Sequence, residues 1–480
     1  MAQSVKVNYI LNLINTGSQM VFPLITFPYA CRIIEANGIG QINFFTSIIQ
    51  YISLFTCLGI PMYAIREIAR VRNDAVKMNR TATEILLLHT FLTILGYIVV
   101  GILCITIPQV KADVSLFLVL SLTIFFTAIG CEWFYQGIED FKYITIRGLI
   151  VKVISVVLLF VFVRTKEDLI YYGWYTVLGV LGGNIFNFIR LRKYIKRENI
   201  IFSQLNVFRH LKPALQVFSL NVVISIYIHL NPVLLGFMKG ALAVGFFTAA
   251  TKLMLMIMKL SSCLGSVMMP RVSHLLAENK EEEFNRLIQK SYDFTIAITL
   301  PLTIGLVACA PTIIRVLCGD TFLSSTVTSQ IIAPVILMVG ISNVMGIQVL
   351  YPKGKINTVT LCCGIGALTD ILLNIIFIPK FSYNGTAIAY IGAEVATTVS
   401  MYLIAKQYIP IKFITILHIK YLAGSLIMGI LIYSIYMFMD LNDSMMLCCQ
   451  VILGIVCYSL FLLATKDPLA LSIVNKIKKI

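Results

Sequence analysis

The run ATEILLLHTFLTILGYIVVGILCITI at 82–107, then PQVKAD at 108–113 and VSLFLVLSLTIFFTAIGCEWFYQ at 114–136, decides the fold. Two long apolar stretches flank a short polar gap. A helix that crosses the hydrocarbon of a bilayer needs about 20 mostly apolar residues, and each stretch meets that length. The pattern continues in both directions, with further apolar runs near 9–33, 40–65, 144–163, 168–189, 214–238, 242–268, 292–314, 327–351, 356–378, 384–405, 419–439 and 445–465. Charged residues fall almost entirely in the short gaps between runs. The expected fold is an all-α polytopic membrane protein with about 14 transmembrane helices.

Composition agrees. The chain is 59% hydrophobic and only 12% charged, against roughly 25% charged in soluble proteins. Its opening, MAQSVKVNYI, has one early Lys and neither a compact apolar core nor a small-residue cleavage site, so the first span is expected to stay in the mature protein. The net charge of +16 raises the question of nucleic acid, but the charge distribution answers it differently. If the N-terminus is cytoplasmic, roughly 28 of the 38 basic residues lie on the cytoplasmic side and about seven on the other. That bias is a topology signal. It places both termini in the cytoplasm and gives no reason to expect a nucleic-acid partner. The twelve Cys are mostly inside spans, where a thiol acts as a small apolar group. None of their spacings suits a metal, and Cys318 is the one expected to reach the outer face.

The longest gaps, 190–213 and 269–291, are charged and expected in the cytoplasm, and ENKEEEFNRLIQK (278–290) reads as a short amphipathic surface helix. The stretch TIRGLIVKVISVVLLFVFVRTKEDLIYYGWYTVLG (145–179) resembles TVTLCCGIGALTDILLNIIFIPKFSYNGTAIAYIG (358–392) in layout. Each is a long span, a short outer loop with a basic residue, an aromatic and Gly pair, and a Gly-rich span. An offset of six spans implies two pseudo-symmetric six-helix lobes of one orientation, a transporter architecture. The expected division is 1–190 for the first lobe, 191–212 for a cytoplasmic linker, 213–408 for the second lobe, and 409–480 for two extra helices and a tail.

Charged residues at the bilayer centre cost roughly 2.5–3.5 kcal/mol each on insertion scales, so they face a cavity or a partner. The deep ones are Lys152, Lys252, Lys259, Asp370 and Glu394, with Arg32, Glu132 and Arg315 nearer helix ends. Lys252 and Lys259 are seven apart and share one helix face, which Thr248 and Ser266 extend. Asn221, Ser225 and His229 form a second stripe, Asn43, Ser47 and Gln50 a third, and Asp370 with Asn374 a fourth. Such stripes line a water-filled lumen or glue helices together. Lys152 either joins the lumen or snorkels to the interface. Two like charges on one buried face repel unless anions or water lie between them, so the Lys252/Lys259 face is expected to meet an anionic substrate. Pro23 and Pro28 bend or break the first span. No phosphate-binding glycine fingerprint appears, and no pair of carboxylates lies on a sizeable outer loop, so no catalytic residue, cofactor or metal is expected.

Several stretches carry a family resemblance: FPLITFPYACRIIEANGIGQINFFTSIIQYISLFTCLGIPMYAIREIAR (22–70), EWFYQGIEDFKYITIR (132–147), VGFFTAATKL (244–253), MPRVSHLLAENK (269–280) and IPKFSYNGTAIAYIGAE (378–394). In order and content they resemble the Wzx-type polysaccharide-biosynthesis flippases of the MOP superfamily. The resemblance implies two lobes around a central cationic cavity, with two further C-terminal helices. It implies movement of an undecaprenyl-pyrophosphate-linked oligosaccharide across the bacterial inner membrane by alternating access, for O-antigen, capsule or exopolysaccharide. Glycosyltransferases and a polymerase are the implied protein partners, beside membrane lipid. Lys252, Lys259, Arg32 and Lys152 would then meet the pyrophosphate, and Asn221, Ser225, Asn43 and Gln50 the glycan. One departure stands out. Many relatives carry an acid where this chain has Asn231, which leaves Asp370, Glu394 and Glu132 as the candidates for ion coupling. The competing readings are a cation-coupled multidrug exporter of the same superfamily, whose first helix usually carries acids that residues 7–31 lack here, and a membrane polysaccharide polymerase.

Overall fold

A computed structural model describes residues 5–196, 205–439 and 441–471; within helices, the side chains of residues 5–16, 19–21, 219–221, 223–228, 260–267 and 269–270 lie outside the description. Among the described residues every regular element is helical. Ten helices are long and apolar enough to cross a membrane. Their outward faces are apolar: Val157, Ile430, Ile455 and Leu460 are each more than half exposed. A soluble protein rarely leaves so large an apolar surface open, and a bilayer requires it. Helices are the economical solution there, because their backbone groups are satisfied within the segment. The chain is a multi-pass membrane protein.

Contacts divide the chain into two compact units, Met1–Phe237 and Met238–Ile480. The first begins with α1 (Val5–Cys57), which carries the first two predicted spans and kinks at Glu35, where φ is 60°. It continues through α2 (Ile60–Val71), α3 (Ala75–Thr106), the single turn α4 (Pro108–Lys111), α5 (Val114–Gly130), α6 (Glu132–Gly137), α7 (Phe141–Phe162), α8 (Leu169–Leu181), α9 (Gly183–Leu191) and α10 (Leu211–Lys239). Polar residues set the boundaries. Asp74 and Asp113 accept the backbone N–H of Lys77 and Leu116 at the starts of α3 and α5, filling the donors that a helix start leaves open. Gly59 takes a φ of 72°, and a Cβ there would sit 2.7 Å from the Ala214 carbonyl oxygen and 2.8 Å from the Phe218 nitrogen. The α1–α2 turn therefore packs directly on the backbone of α10, which only glycine permits.

The predicted fourth span breaks at Cys131, a non-glycine residue at φ 44°. The break frees carbonyls that would otherwise be bonded along the helix. Asn184 donates to the Phe126 carbonyl at 2.9 Å, Asn187 to that of Gly130 at 2.6 Å, and the Tyr135 hydroxyl to that of Asn187 at 2.6 Å. The WFYQG stretch is therefore a structural clamp. Its Trp133, Phe134 and Tyr135 are buried with Ile60, Ile68 and Ile85 in the core of this unit.

The second unit comprises α11 (Ala241–Ala277), α12 (Glu281–Cys318), α13 (Ser325–Ile332), α14 (Val335–Asn343) running into a π-helical segment at Val344–Leu350, α15 (Ile356–Ala405), α16 (Ile416–Phe438) and α17 (Asp443–Ala464). Its core joins Phe284, Ile288, Tyr292, Met401 and Tyr421. Two expectations fail here. The 278–290 stretch is not a separate surface helix: Glu281–Lys290 forms the first turns of α12, since no Gly or Pro interrupts it before Pro301 and its apolar side, Phe284 and Ile288, is fully buried. Cys318 does not reach an outer face; it is fully buried at the end of α12.

The span pair 356–378 and 384–405 is one helix folded back on itself. Ser382 is non-helical, with φ 52° and ψ −130°. Beyond it the second half returns along the first, so that a Cβ on Gly366 would fall inside the contact distance of Thr397 Oγ1 and 3.1 Å from the Ala393 carbonyl. In a straight helix those residues would be about 40 Å apart at 1.5 Å per residue.

Candidate functional site

In the second unit, the segment Ala241–Lys259 is apolar enough to cross a membrane, yet Lys252 and Lys259 are both exposed on it. The seven-residue spacing puts both side chains on one face of the helix. Thr248, expected to extend this stripe, is buried instead. The side chain of Ser266 lies outside the described residues, as do those of Asn221 and Ser225 on α10.

The folded-back α15 assembles the acidic residues. Gly366, Asp370 and Asn374 form one stripe on its first half, and Asn374 Nδ2 donates to the Asp370 carbonyl at 2.8 Å and to Asp370 Oδ1 at 3.1 Å. Glu394 is on the second half. Asp370 is fully buried and Glu394 nearly so. Tyr390, one turn before Glu394, lies within electrostatic reach of both carboxylates. Sequence spacing alone could not bring Asp370 and Glu394 within reach of one tyrosine, which depends on the reversal at Ser382 and the apposition of the two halves of α15. Their contact face is made of small groups, Gly366, Ala393 and Thr397, which allow two helices to approach closely.

In the first unit, Lys152 of α7 reaches across to α1, where its Nζ donates to Ser18 Oγ at 2.8 Å. Glu132, at the start of α6, lies within electrostatic reach of Lys152 and of Arg147. Arg147 is on α7 and half-buried. Its Nε and Nη1 are buried and have no hydrogen-bond partner among the described residues, and its guanidinium lies 5.9 Å from the Tyr143 ring centre. One acid and two bases thus gather around the α5–α6 break. Arg32 is exposed on α1, three residues before the Glu35 kink. Asn43 and Gln50 are half-buried, and Asn43 Nδ2 is occupied by the Ile39 carbonyl at 2.8 Å. Ser47 between them is buried, so this stripe is partly spent on packing. Asn231 is likewise buried in α10.

Sequence reasoning missed a further cluster in this unit. Glu84, fully buried, accepts from Arg80 Nε at 3.0 Å, from the Asn206 backbone N–H at 2.8 Å, and from the Arg209 guanidinium, and shares a 2.9 Å hydrogen bond with His210 Nε2. His210 Nδ1 bonds the Tyr63 hydroxyl at 2.7 Å. Burial of His210 holds its imidazole below the ordinary histidine range, in spite of the carboxylate beside it. The only local signal was Arg80 four residues before a carboxylate in the first turns of an apolar run; Asn206, Arg209 and His210 are 122–126 residues away. Among the described residues no group of three or more His, Cys, Asp or Glu is placed to hold a metal ion.

The comparisons with known proteins agree with this architecture. A family model described as polysaccharide biosynthesis protein matches residues 5–276. The chain is 25% identical over 399 residues to the "Putative O-antigen transporter" of Shigella dysenteriae, covering 82% of this chain and 98% of that one. It is 24% identical over 407 residues to the protein of the same name from Escherichia coli strain K12, covering 84% and 97%. Among solved structures, the lipid II flippase MurJ in its inward closed conformation matches with a TM-score of 0.75 at 16% identity, over 95% of this chain and 99% of that one. A MATE structure in complex with MaL6 matches with 0.53 at 15% identity, over 83% and 94%. At these identities the solved structures speak for the fold alone.

Proposed function

Because the chain belongs to the family of polysaccharide biosynthesis proteins, we propose that it is a transporter, not an enzyme, that flips an undecaprenyl-pyrophosphate-linked oligosaccharide repeat unit from the cytoplasmic to the periplasmic leaflet of the bacterial inner membrane, by alternating access. The repeat unit feeds a surface polysaccharide, O-antigen, capsule or exopolysaccharide. Both termini are cytoplasmic, and glycosyltransferases and a polymerase act before and after it.

The pair Lys252 and Lys259 carries this reading. Both are exposed on an apolar membrane-spanning segment. Facing hydrocarbon would cost each roughly 2.5–3.5 kcal/mol, so a polar surrounding is required, and a pyrophosphate supplies opposite charge where two like charges would otherwise repel. Arg32 and Lys152 add cationic groups, while Asn221, Ser225, Asn43 and Gln50 offer hydrogen bonds to sugar hydroxyls. Asp370 and Glu394 carry the coupling ion, with Glu132 as a further acid in the first unit. The drug-exporter alternative fits less well, because residues 7–31 contain no acid to attract a cationic drug. The test is complementation of a strain that lacks the protein. The double variant Lys252→Ala/Lys259→Ala should reach the membrane in normal amount and leave the surface without polysaccharide. Normal polysaccharide in that strain would remove the lysines from the site.

A further inference from the structure

The Glu84 cluster underlies a cavity of about 370 Å³ lined by Tyr63, Glu67, Lys77, Arg80, Thr81, Arg209 and His210, with Val71 at its wall. It is formed by α2, the first turns of α3, and the short turn Val207–His210 that precedes α10. Its lining is cationic. Lys77, Arg80 and Arg209 line it together with Glu67, whose carboxylate is already engaged by Arg70 at 2.9 Å and Arg66 at 3.4 Å. The single buried carboxylate beneath, Glu84, holds both guanidiniums in place rather than filling the space above them. Their ordering is therefore complete before any ligand arrives, which lowers the cost of binding.

The surface beside the cavity changes character along one helical stripe. Lys77, Arg80, Glu84, Leu87 and Phe91 follow each other at intervals of three or four on α3 and share a face. The first three are charged. Leu87 and Phe91 are exposed, and Phe208, 62% exposed, meets the Phe91 ring edge-on at 6.1 Å. From Arg80 to Phe91 the stripe runs about 16 Å along the helix axis, the scale of an acyl chain. A cationic cavity at one end of an exposed apolar strip is complementary to a phosphate with a lipid tail.

We propose that this cavity binds the phosphate headgroup of a membrane lipid, with its tail along Leu87, Phe91 and Phe208. It shares no residue with the lysine face of α11 and does not depend on the transport reading. Lys77 is 72% exposed and bonded only locally, to Asp74 at 3.2 Å, so Lys77→Glu alters the charge of the cavity without touching its core. Glu84→Gln removes the charge that orders both guanidiniums. The experiment measures lipid retention by the full-length detergent-purified protein by native mass spectrometry, with phosphatidylglycerol, phosphatidylcholine, a short-chain polyprenyl phosphate and inorganic phosphate as separate probes. The wild-type protein should prefer phosphatidylglycerol to phosphatidylcholine. Lys77→Glu should weaken that binding about thirtyfold, since it changes the charge by two and one surface charge near a lipid headgroup is worth about 1 kcal/mol, and Glu84→Gln, which releases Arg80 and Arg209, should weaken it as well. Competition by polyprenyl phosphate at lower concentration than phosphatidylglycerol would support the proposal and identify the lipid-linked substrate as the source; preference for phosphatidylglycerol would support it and identify bulk lipid. Equal retention of the two phospholipids, no change in Lys77→Glu, or binding of inorganic phosphate as tight as that of the lipids would overturn it.

Discussion

Gly366 should be the most sensitive small residue in the second unit, and the sign of its effect tests the fold-back of α15. Replacing Gly by Ala in a helix interior ordinarily stabilises by about 1 kcal/mol, because Ala gives up less backbone freedom. Here the added Cβ would overlap Thr397 Oγ1 and sit 3.1 Å from the Ala393 carbonyl. The Thr397 side chain can rotate, but it then gives up its 3.0 Å hydrogen bond to Ala393; the carbonyl belongs to backbone and yields only if the two halves separate. Overpacking of this kind costs about 1–3 kcal/mol, so Gly366→Ala should lose about 2 kcal/mol, or about 4–8 °C in Tm for a body of this size. Gly364 supplies the control on the same helix, since nothing lies within 4 Å of a Cβ built there, and Gly364→Ala should be neutral or stabilising. Adding Thr397→Ala to Gly366→Ala should recover about half the loss or more, a coupling expected only of residues in contact. Thermal unfolding in detergent measures the wild type, the three single variants Gly364→Ala, Gly366→Ala and Thr397→Ala, and the double variant. A stabilised Gly366→Ala, or a double variant no better than the sum of the singles, would refute the apposition of the two halves and with it the approach of Asp370 and Glu394 to Tyr390.

Three further outcomes follow from the same geometry. Asp370→Asn and Glu394→Gln preserve shape and remove the titratable charge, so each should cut surface polysaccharide at least about tenfold, an effect of about 1.4 kcal/mol or more on the transport barrier; wild-type glycan profiles in both would exclude them from coupling. Burial keeps the His210 imidazole below its ordinary 6.5, so the unfolded chain takes up that proton first as pH falls; stability from this group is complete above about 6.5 and declines below it, and the drop in Tm between about pH 7 and pH 5 should be smaller in His210→Gln than in the wild type. Asp113 accepts from Leu116 N–H and from Gln41 Nε2, each at 3.1 Å; Asp113→Ala should cost about 1–2 kcal/mol, and Asp113→Asn distinctly less, by the same melting assay.

The membrane-spanning character of the chain was legible because apolar run length responds to one physical demand, the thickness of hydrocarbon. The reversal at Ser382 was legible as a gap between two spans, and the kink at Glu35 as another. The identity of α12 was not, because charge suggested a surface helix at 278–290, whereas helix continuity depends on the absence of a breaker and on the burial of Phe284 and Ile288. Lys252 and Lys259 were recognisable from their spacing, since both are on one element. Glu84 with His210 and Asp370 with Glu394 were not recognisable as groups, because each is assembled by tertiary packing that spacing does not encode. WFYQG was noticed as a motif, but its structural part appears only in the fold: Trp133, Phe134 and Tyr135 fill the core, and Tyr135 holds the Asn187 carbonyl while Asn184 and Asn187 bond the carbonyls beside the break at Cys131.

The most direct test of the central claim is the leaflet location of lipid-linked repeat units in cells with and without this protein. Spheroplasts are treated with a glycan-labelling reagent that cannot cross the membrane. With the protein present the lipid-linked glycan should be labelled, and in its absence protected, while the total pool persists. Equal labelling in both, with surface glycans merely shortened, would contradict transport and point to a role in polymerisation.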